Sequence, residues 1–329
     1  MKILFVTNDP YPPRMAHGMR TAQFWKILNH FGHDISILNL DPRNNAHLSE
    51  QKENFNVTFF TLKHLPLSLL SKYDLIANMD PVILNLPAPF ISWMRDVPMI
   101  SDLQDPLHEW SVMKKSLTKT LFGSIFRYSK FVTTTHSKLK HQLIETLNVD
   151  PNKIGIVHNG VDLNFFKFMD VDKDVDVLYT GSPFSFGSLI SEVRKECQSR
   201  KKKFLWTPFD KRFSYNELPL VLNQSRVCIF PAEESHWHNK LMEYLACGCA
   251  VVALETEQTK KIIIDGENGL LADSKEEFLE KIFYLLENDA LRKKISTNAV
   301  VSVKQYSWNI LVKNYEQYLF NVLDGVYET

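Results

Sequence analysis

Three groups of residues have types and spacing that could do chemistry. The first is a polar loop, Ala232 to His238, running into a helical pattern that starts at Asn239. His238, Asn239, Lys240 and Leu241 stand at the mouth of that helix, and Glu243 lies one turn in. A helix amino end carries about half a positive charge and free backbone N–H groups, which suits a phosphate. Glu243 falls off the Leu241/Leu245 stripe, so its carboxylate is free to accept from hydroxyls. Phosphates beside vicinal hydroxyls describe a nucleotide sugar; a solvated surface glutamate is the plainer alternative. The second group, Asp102, Asp105, His108 and Glu109, directly follows the apolar run Pro98 to Ser101. Acids and a histidine at a strand end can do proton chemistry or simply cap the next helix. The third is the alternating acidic run Asp170 to Asp176. Val175 sits where a calcium loop needs glycine, and the run precedes a strand instead of following one. It reads as an acidic linker.

The elements that must hold these groups are those of an α/β chain. Val227 to Phe230 is a buried strand stopped by Pro231, Gly248 ends the helix after it, and Ala250 to Leu254 is a second strand. In a strand–loop–helix–strand unit the loop opens at the carboxyl edge of the sheet, where α/β proteins bind ligands. The same alternation starts at Lys2 to Thr7, with Gly18 opening a helix to Phe31 and Ile35 to Leu38 following. Strands are expected near Val57–Phe60, Asp74–Ala77, Pro98–Ser101 and Phe131–Thr135, with helices over Ser111–Lys130 and Ser137–Leu147. The pattern restarts at Val177–Thr180 and Gly181, with a helix from about Ser188, a strand at Phe204–Thr207 and a helix at Tyr215–Asn223. Helices Lys275–Glu287, Asp289–Lys304 and a last one to Leu323 close the chain.

Composition bounds what such a chain can be. With 329 residues it suits two domains of ordinary size. A net charge of zero argues against a dedicated nucleic-acid binder, and no apolar run approaches the length of about 18 residues that spans a membrane. The opening MKILFVTND reads as a strand and not as a secretory signal, so a cytoplasmic location is expected. Cys197, Cys228, Cys247 and Cys249 fit no disulfide framework or zinc site and are expected to be buried free thiols.

PAEESHWHNKLMEYLACGCAVVA followed by IIIDGENGLLAD resembles the donor-binding segment of family 4 glycosyltransferases. Pro12, Pro13, Gly18 and Arg20, then Leu28 and Gly32-His33-Asp34-Ile35, resemble that family's opening, with His17 replacing the first glycine of its pair. Ile154 to Asp162 resembles the string that leads out of its first domain, and Ser307-Trp308 its final helix.

The resemblance implies a GT-B fold: two facing Rossmann-like domains with parallel sheets and a cleft between them. The expected boundaries are an acceptor domain over 1–165, joined by the last helix 308–329, and a nucleotide-sugar domain over 166–307. It implies transfer of a sugar from a nucleotide diphosphate to an acceptor hydroxyl with retention, without metal or other cofactor. The acceptor would be a sugar, a lipid-linked molecule or a glycoconjugate. Asp105, His108 and Glu234 are implied as catalytic, the last through a loop one residue longer than the family's. Gly18, Arg20, Gly181, His238, Asn239, Lys240, Leu241 and Glu243 are implied as donor-binding. The cations usual after the glycine at 181 are missing, so Lys240, or Lys211 and Arg212, are expected to supply the charge. Seven cations between Lys114 and Lys140, with no acid from Trp110 to Ile144, suggest contact with an anionic membrane through 111–140 on its inner face. A sugar-nucleotide epimerase and a non-catalytic partner subunit of the same fold are the alternatives.

Overall fold

The structure is a computed structural model that describes residues 1–8, 16–41, 57–61, 65, 70–79, 85–104, 115–181, 183–231 and 239–326. The chain forms two units, Met1–Asn159 with Trp308–Thr329, and Gly160–Ser307. The boundary falls at 159 and not at 165, because Val161 and Phe166 are buried in the core of the second unit and Phe165 packs against it.

In the first unit the strands are β1 (Lys2–Thr7), β2 (Asp34–Asn39), β3 (Val57–Thr61), β4 (Leu75–Met79), β5 (Met99–Leu103), β6 (Phe131–Thr134) and β7 (Ile154–Ile156). All pair in parallel in the order β3-β2-β1-β4-β5-β6-β7. Their near-continuous apolar runs are what a sheet covered on both faces requires. The helices are α1 (Ala16–His30), α2 (Pro87–Arg95), α3 (Lys115–Tyr128) and α4 (Ser137–Leu147), together with α11 at the end of the chain (Trp308–Asp324). Trp308, Leu311, Val312, Tyr315, Leu319 and Val322 make the buried stripe of α11. It packs on α1, where Phe24 meets Trp308 and Tyr315 with ring centroids 6.1 and 4.4 Å apart. Phe131 stacks on Tyr318 at 4.7 Å. Gly155 lies under that stack: a Cβ there would come within 2.6 Å of the Tyr318 ring. The Gly32-His33 pair ends α1, with Gly32 at φ +92°, and His33 Nε2 meets Glu316 Oε1 of α11 at 2.6 Å.

Two of the cations expected to face a membrane have other work. Arg127 Nη1 donates to the Leu147 carbonyl at 2.6 Å, and Lys140 Nζ to that of Ile154 at 2.9 Å. Phe122, Ile125 and Phe126 are buried in the core, so the apolar stripe of α3 is packing.

The second unit has strands β8 (Val175–Thr180), β9 (Phe204–Thr207), β10 (Ser225–Phe230), β11 (Ala250–Leu254) and β12 (Leu270–Ala272). They form a parallel sheet in the order β12-β11-β10-β8-β9. Its helices are α5 (Pro183–Ser199), α6 (Leu218–Asn223), α7 (Asn239–Ala246), α8 (Glu257–Ile262), α9 (Lys275–Glu287) and α10 (Asp289–Ser302). Three differences from the sequence reading matter. α5 starts at Pro183, directly behind Gly181 and not at Ser188. β8 begins at Val175, so Asp176 belongs to the strand, where it receives the Lys203 N–H at 2.8 Å and lies 3.6 Å from Arg226. The short α8 falls between the two motif strings and β12 at the end of the second, and neither was expected. Asp265-Gly-Glu-Asn268-Gly269 is a turn: Asn268 receives the Ile264 N–H and donates to Ile262 and Ser302, while Asp265 receives the Leu271 N–H. That motif builds the start of β12.

Arg20 is also a structural residue. Its side chain and that of Asp102 are both 0% exposed, paired in two hydrogen bonds of 2.9 and 2.8 Å. Its remaining amino group donates to the His158 carbonyl and to Asn159 Oδ1, and Thr133 Oγ1 donates to Asp102 at 2.6 Å. Where a donor-binding side chain was expected, a fully covered guanidinium with these partners joins α1 to β5 and to the segment after β7. Removing one partner from a buried pair strands a charge, at about 3–5 kcal/mol. Asp102→Ala should lose about that much in urea unfolding, while the Arg20→Met/Asp102→Leu double variant should lose clearly less. Equal losses would show that the pair is not what ties these elements.

Candidate functional site

The strand order of the second unit fixes where a ligand can sit. β8 leads through α5 to β9 on one side, and the chain then crosses to β10 on the other. The carboxyl ends of β8 and β10 thus flank a topological switch point, the crevice where open α/β sheets take ligands. α5 starts after β8 and α7 after β10, so two helix amino ends border this crevice.

α7 forms because Leu241, Met242, Leu245 and Ala246 bury one face in the core while Asn239, Lys240 and Glu243 stay off it. It stops at Gly248, held at φ +67°. Tyr244, fully buried, sets its position relative to β8: its phenolic oxygen receives the Thr180 N–H at 3.0 Å and lies 2.6 Å from Thr180 Oγ1. One side chain of the helix thereby locks the end of the neighbouring strand.

Glu243 stands on the half-buried side of α7. Burial pushes its carboxyl up to about 7, opposed in part by Lys240. Burial also lowers the Lys240 amine, with Glu243 acting the other way. Tyr215 is raised by burial and then by the negative charges of Glu243 and Asp162, which puts all three in one electrostatic neighbourhood. Tyr215 stacks face to face on Phe165, with centroids 4.8 Å apart and planes 6° apart. Asp162 receives the N–H groups of Asn164 and Phe165 and so shapes the turn that delivers this aromatic pair. Asn239 Oδ1 is buried without a hydrogen-bond partner among the described residues.

Other expected residues distribute as follows. Leu241 is buried, so only its backbone can face a ligand. Gly181 follows β8; its N–H donates to Thr207, and Trp206 Nε1 donates to its carbonyl at 3.0 Å. A Cβ at Gly181 would fall 2.1 Å from the Tyr179 hydroxyl, so glycine is already required by packing. Lys211 and Arg212 are exposed beyond β9, the outer strand, with Lys211 Nζ 4.7 Å from the Phe213 ring centre. Lys240 is therefore the cation nearest the helix mouth among these three. Gly18 lies in the first turn of α1. Asp105, His108, Glu234 and His238 lie outside the described residues. Tyr215, Asp162 and Tyr244 were not singled out from sequence; Tyr244 alone had a signal there, as the neighbour of Glu243 on the opposite face.

Among the described residues no group of three or more His, Cys, Asp or Glu is placed to hold a metal. The four cysteines are buried free thiols.

Residues 176–316 match a family model described as glycosyl transferase-like. An uncharacterised glycosyltransferase of Methanocaldococcus jannaschii is 27% identical over 210 residues, 55% of this chain and 58% of that protein. The N,N'-diacetylbacillosaminyl-diphospho-undecaprenol alpha-1,3-N-acetylgalactosaminyltransferase of Campylobacter jejuni is 29% identical over 108 residues, 32% of this chain and 29% of that one. The chain thus spans little more than half of the first relative's length and under a third of the second's. Among solved structures, HepE of Anabaena in complex with UDP and glucose superimposes with a TM-score of 0.73 at 16% identity, over 97% of this chain and 99% of that one. The fold is of the GT-B class, two Rossmann-like units in one chain. In sequence the chain is similar to glycosyltransferases over residues 176–316, and in fold over nearly its whole length.

The position of Glu243 has a consequence for stability. Below about 4.5, its ordinary value, the carboxyl is protonated in folded and unfolded chains alike. Between 4.5 and 7 the folded chain keeps a proton that the unfolded chain releases, so rising pH favours unfolding through this group. The penalty is complete above pH 7. Glu243→Gln should match the parent in melting temperature near pH 4.5 and exceed it increasingly up to pH 8. A difference that does not change with pH would place Glu243 in water.

Proposed function

We propose that the protein is a glycosyltransferase that takes a sugar from a nucleoside diphosphate and passes it to an acceptor hydroxyl with retention at the anomeric carbon. The observation that carries this reading is the mouth of α7 at the switch point. There the backbone N–H groups of Asn239, Lys240 and Leu241 and the Lys240 amine suit the diphosphate, and Glu243 suits the ribose hydroxyls. HepE, the similar fold, is solved with UDP and with UDP-glucose, which makes a uridine nucleotide the first donor to try. In the reaction the bond from the anomeric carbon to the diphosphate oxygen breaks and one to the acceptor oxygen forms on the same face. The acceptor proton passes to the departing diphosphate. The two helix mouths stabilise that leaving group without reorganising. Asp105 and His108 on the acceptor side, and Glu234 on the donor sugar, complete the reading as carried over from the resemblance.

The Campylobacter relative's name specifies a diphospho-undecaprenol acceptor, which supports a lipid-linked or glycoconjugate acceptor here and a role in polysaccharide or glycolipid synthesis. Within 130–140, Lys130 and Lys138 are exposed and available to an anionic surface at the membrane's inner face. The family match and the relatives favour transfer over the epimerase and partner-subunit alternatives.

A charge-assisted hydrogen bond contributes about 1.5–3 kcal/mol, or about 10- to 150-fold in affinity. Glu243→Ala, folded, should bind UDP-glucose, or whichever nucleotide sugar a calorimetric screen selects, weaker by that factor. Unchanged affinity would remove Glu243 from the donor site.

The proposal also includes transfer without a metal ion, since helix mouths and Lys240 supply the positive charge. Turnover should persist in EDTA; its loss, with recovery on adding magnesium or manganese, would overturn the metal-free mechanism.

A further inference from the structure

The amino edge of the second sheet, opposite the mouth of α7, holds a cavity of about 600 Å³. That volume is within the usual range of small-molecule sites, about 300–1,000 Å³. Its floor is the end of α7 and the start of β11, Gly248 and Ala250. Its long wall is α10, which lines it with two adjacent i, i+4 rows, Arg292-Ser296-Val300 and Lys293-Thr297-Val301. Each row runs from a cation through a hydroxyl to a valine. The cavity is therefore graded along its length, about 13 Å for the nine residue steps from 292 to 301 at ~1.5 Å each.

Both ends extend beyond α10. At the charged end Arg226 of β10 joins Arg292 and Lys293, and Lys173 adds a fourth lining cation. No carboxylate lines the cavity. Two lie at its margin: Asp176, 3.6 Å from Arg226, and Asp289, paired with Arg292. Four cations against two marginal acids leave an excess of positive charge. At the other end Phe168 packs beside Val300 over Gly248, where a Cβ would meet the Phe168 ring at 2.9 Å and Val300 at 3.3 Å. Phe168 and Val301 nevertheless remain 50% and 61% exposed. Large apolar side chains left open beside a cationic end call for a ligand with matching halves.

We propose that this cavity binds an amphipathic anion: one apolar chain or small ring system, about 13 Å long, ending in a phosphate or carboxylate. The head group sits among Arg226, Arg292 and Lys293, and the chain lies along Val300, Val301 and Phe168. The assignment does not depend on the donor site, which occupies the opposite edge of the same sheet. Ser296 Oγ donates to the Gly248 carbonyl at 2.6 Å, so a bound molecule would rest against the end of α7.

The test is calorimetry on the full chain with geranyl phosphate, decanoate, geraniol and inorganic phosphate. Geranyl phosphate or decanoate should bind one to one, at least about tenfold tighter than geraniol or phosphate alone, and the tighter of the two names the head group. A tenfold change corresponds to about 1.4 kcal/mol, the size of one charged contact. Lys293→Glu should weaken binding by about that factor. Thr297→Trp, which fills the cavity from an exposed position and leaves every charge in place, should abolish it. Both variants should keep the parent's melting temperature and its affinity for nucleotide sugar, which separates this result from the donor reading. Binding of geraniol as tight as that of geranyl phosphate, a stoichiometry above one, no saturable binding at millimolar ligand, or undiminished binding by Thr297→Trp would each overturn the proposal.

Discussion

The parallel pairing of the second sheet is the constraint on which the site depends. Parallel strands cannot be joined by tight turns; each pair needs a crossover, and right-handed crossovers place successive helices on opposite faces when the chain changes direction across the sheet. β8 to β9 runs one way and β9 to β10 the other, so the helices that follow β8 and β10 pack on opposite faces of the sheet and the two strand ends flank a crevice. The free N–H groups of each helix end must find partners there, in water, protein or ligand. The crevice follows from how the strands are connected, before any side chain is chosen.

Side chains then fix its dimensions. The Tyr244–Thr180 hydrogen bonds couple α7 to β8. Gly181 leaves room for the Tyr179 ring, and its carbonyl receives the Trp206 Nε1–H. A shift in either contact would move a helix mouth. The first unit shows the same division of labour in another form. Its buried Arg20–Asp102 pair, with Thr133 and Asn159, connects elements far apart in sequence. Excellent geometry and saturated hydrogen bonding are what allow two charges to be buried at all.

Strand and helix positions were largely legible because buried parallel strands write long apolar runs. Lys2–Thr7, Ser137–Leu147 and Ala250–Leu254 came out with the bounds expected. What failed was partner choice. Arg20 looks the same in sequence whether it faces a phosphate or an aspartate 82 residues away, and only the fold brings Asp102 to it. The Asp265–Gly269 string looked like part of a binding signature; the side chains of Asp265 and Asn268 bond to the start of β12 and to the ends of α8 and α10. Tyr215 and Asp162 were invisible for a related reason. Nothing in their local pattern records that Phe165 and Tyr215 stack and bring them to Glu243. That Lys240 and Glu243 are neighbours was legible, because residues three apart on one helix meet whatever the tertiary fold.

That last pair distinguishes a site from a scaffold. Arg20 and Asp102 are deeply buried and fully hydrogen-bonded, and each stabilises the charge of the other. Lys240 and Glu243 share a helix face but are held differently: burial drives each toward its neutral form, and each only partly offsets the other. Among the described residues, the Glu243 carboxylate receives no hydrogen bond comparable to those at Asp102. A carboxyl whose burial raises its pKa at a helix mouth costs stability above that pKa, and groups perturbed in this way cluster at functional sites. A ligand bringing both hydroxyls and negatively charged oxygens would relieve Lys240 and Glu243 at once. One bringing only an anion would leave Glu243 worse off.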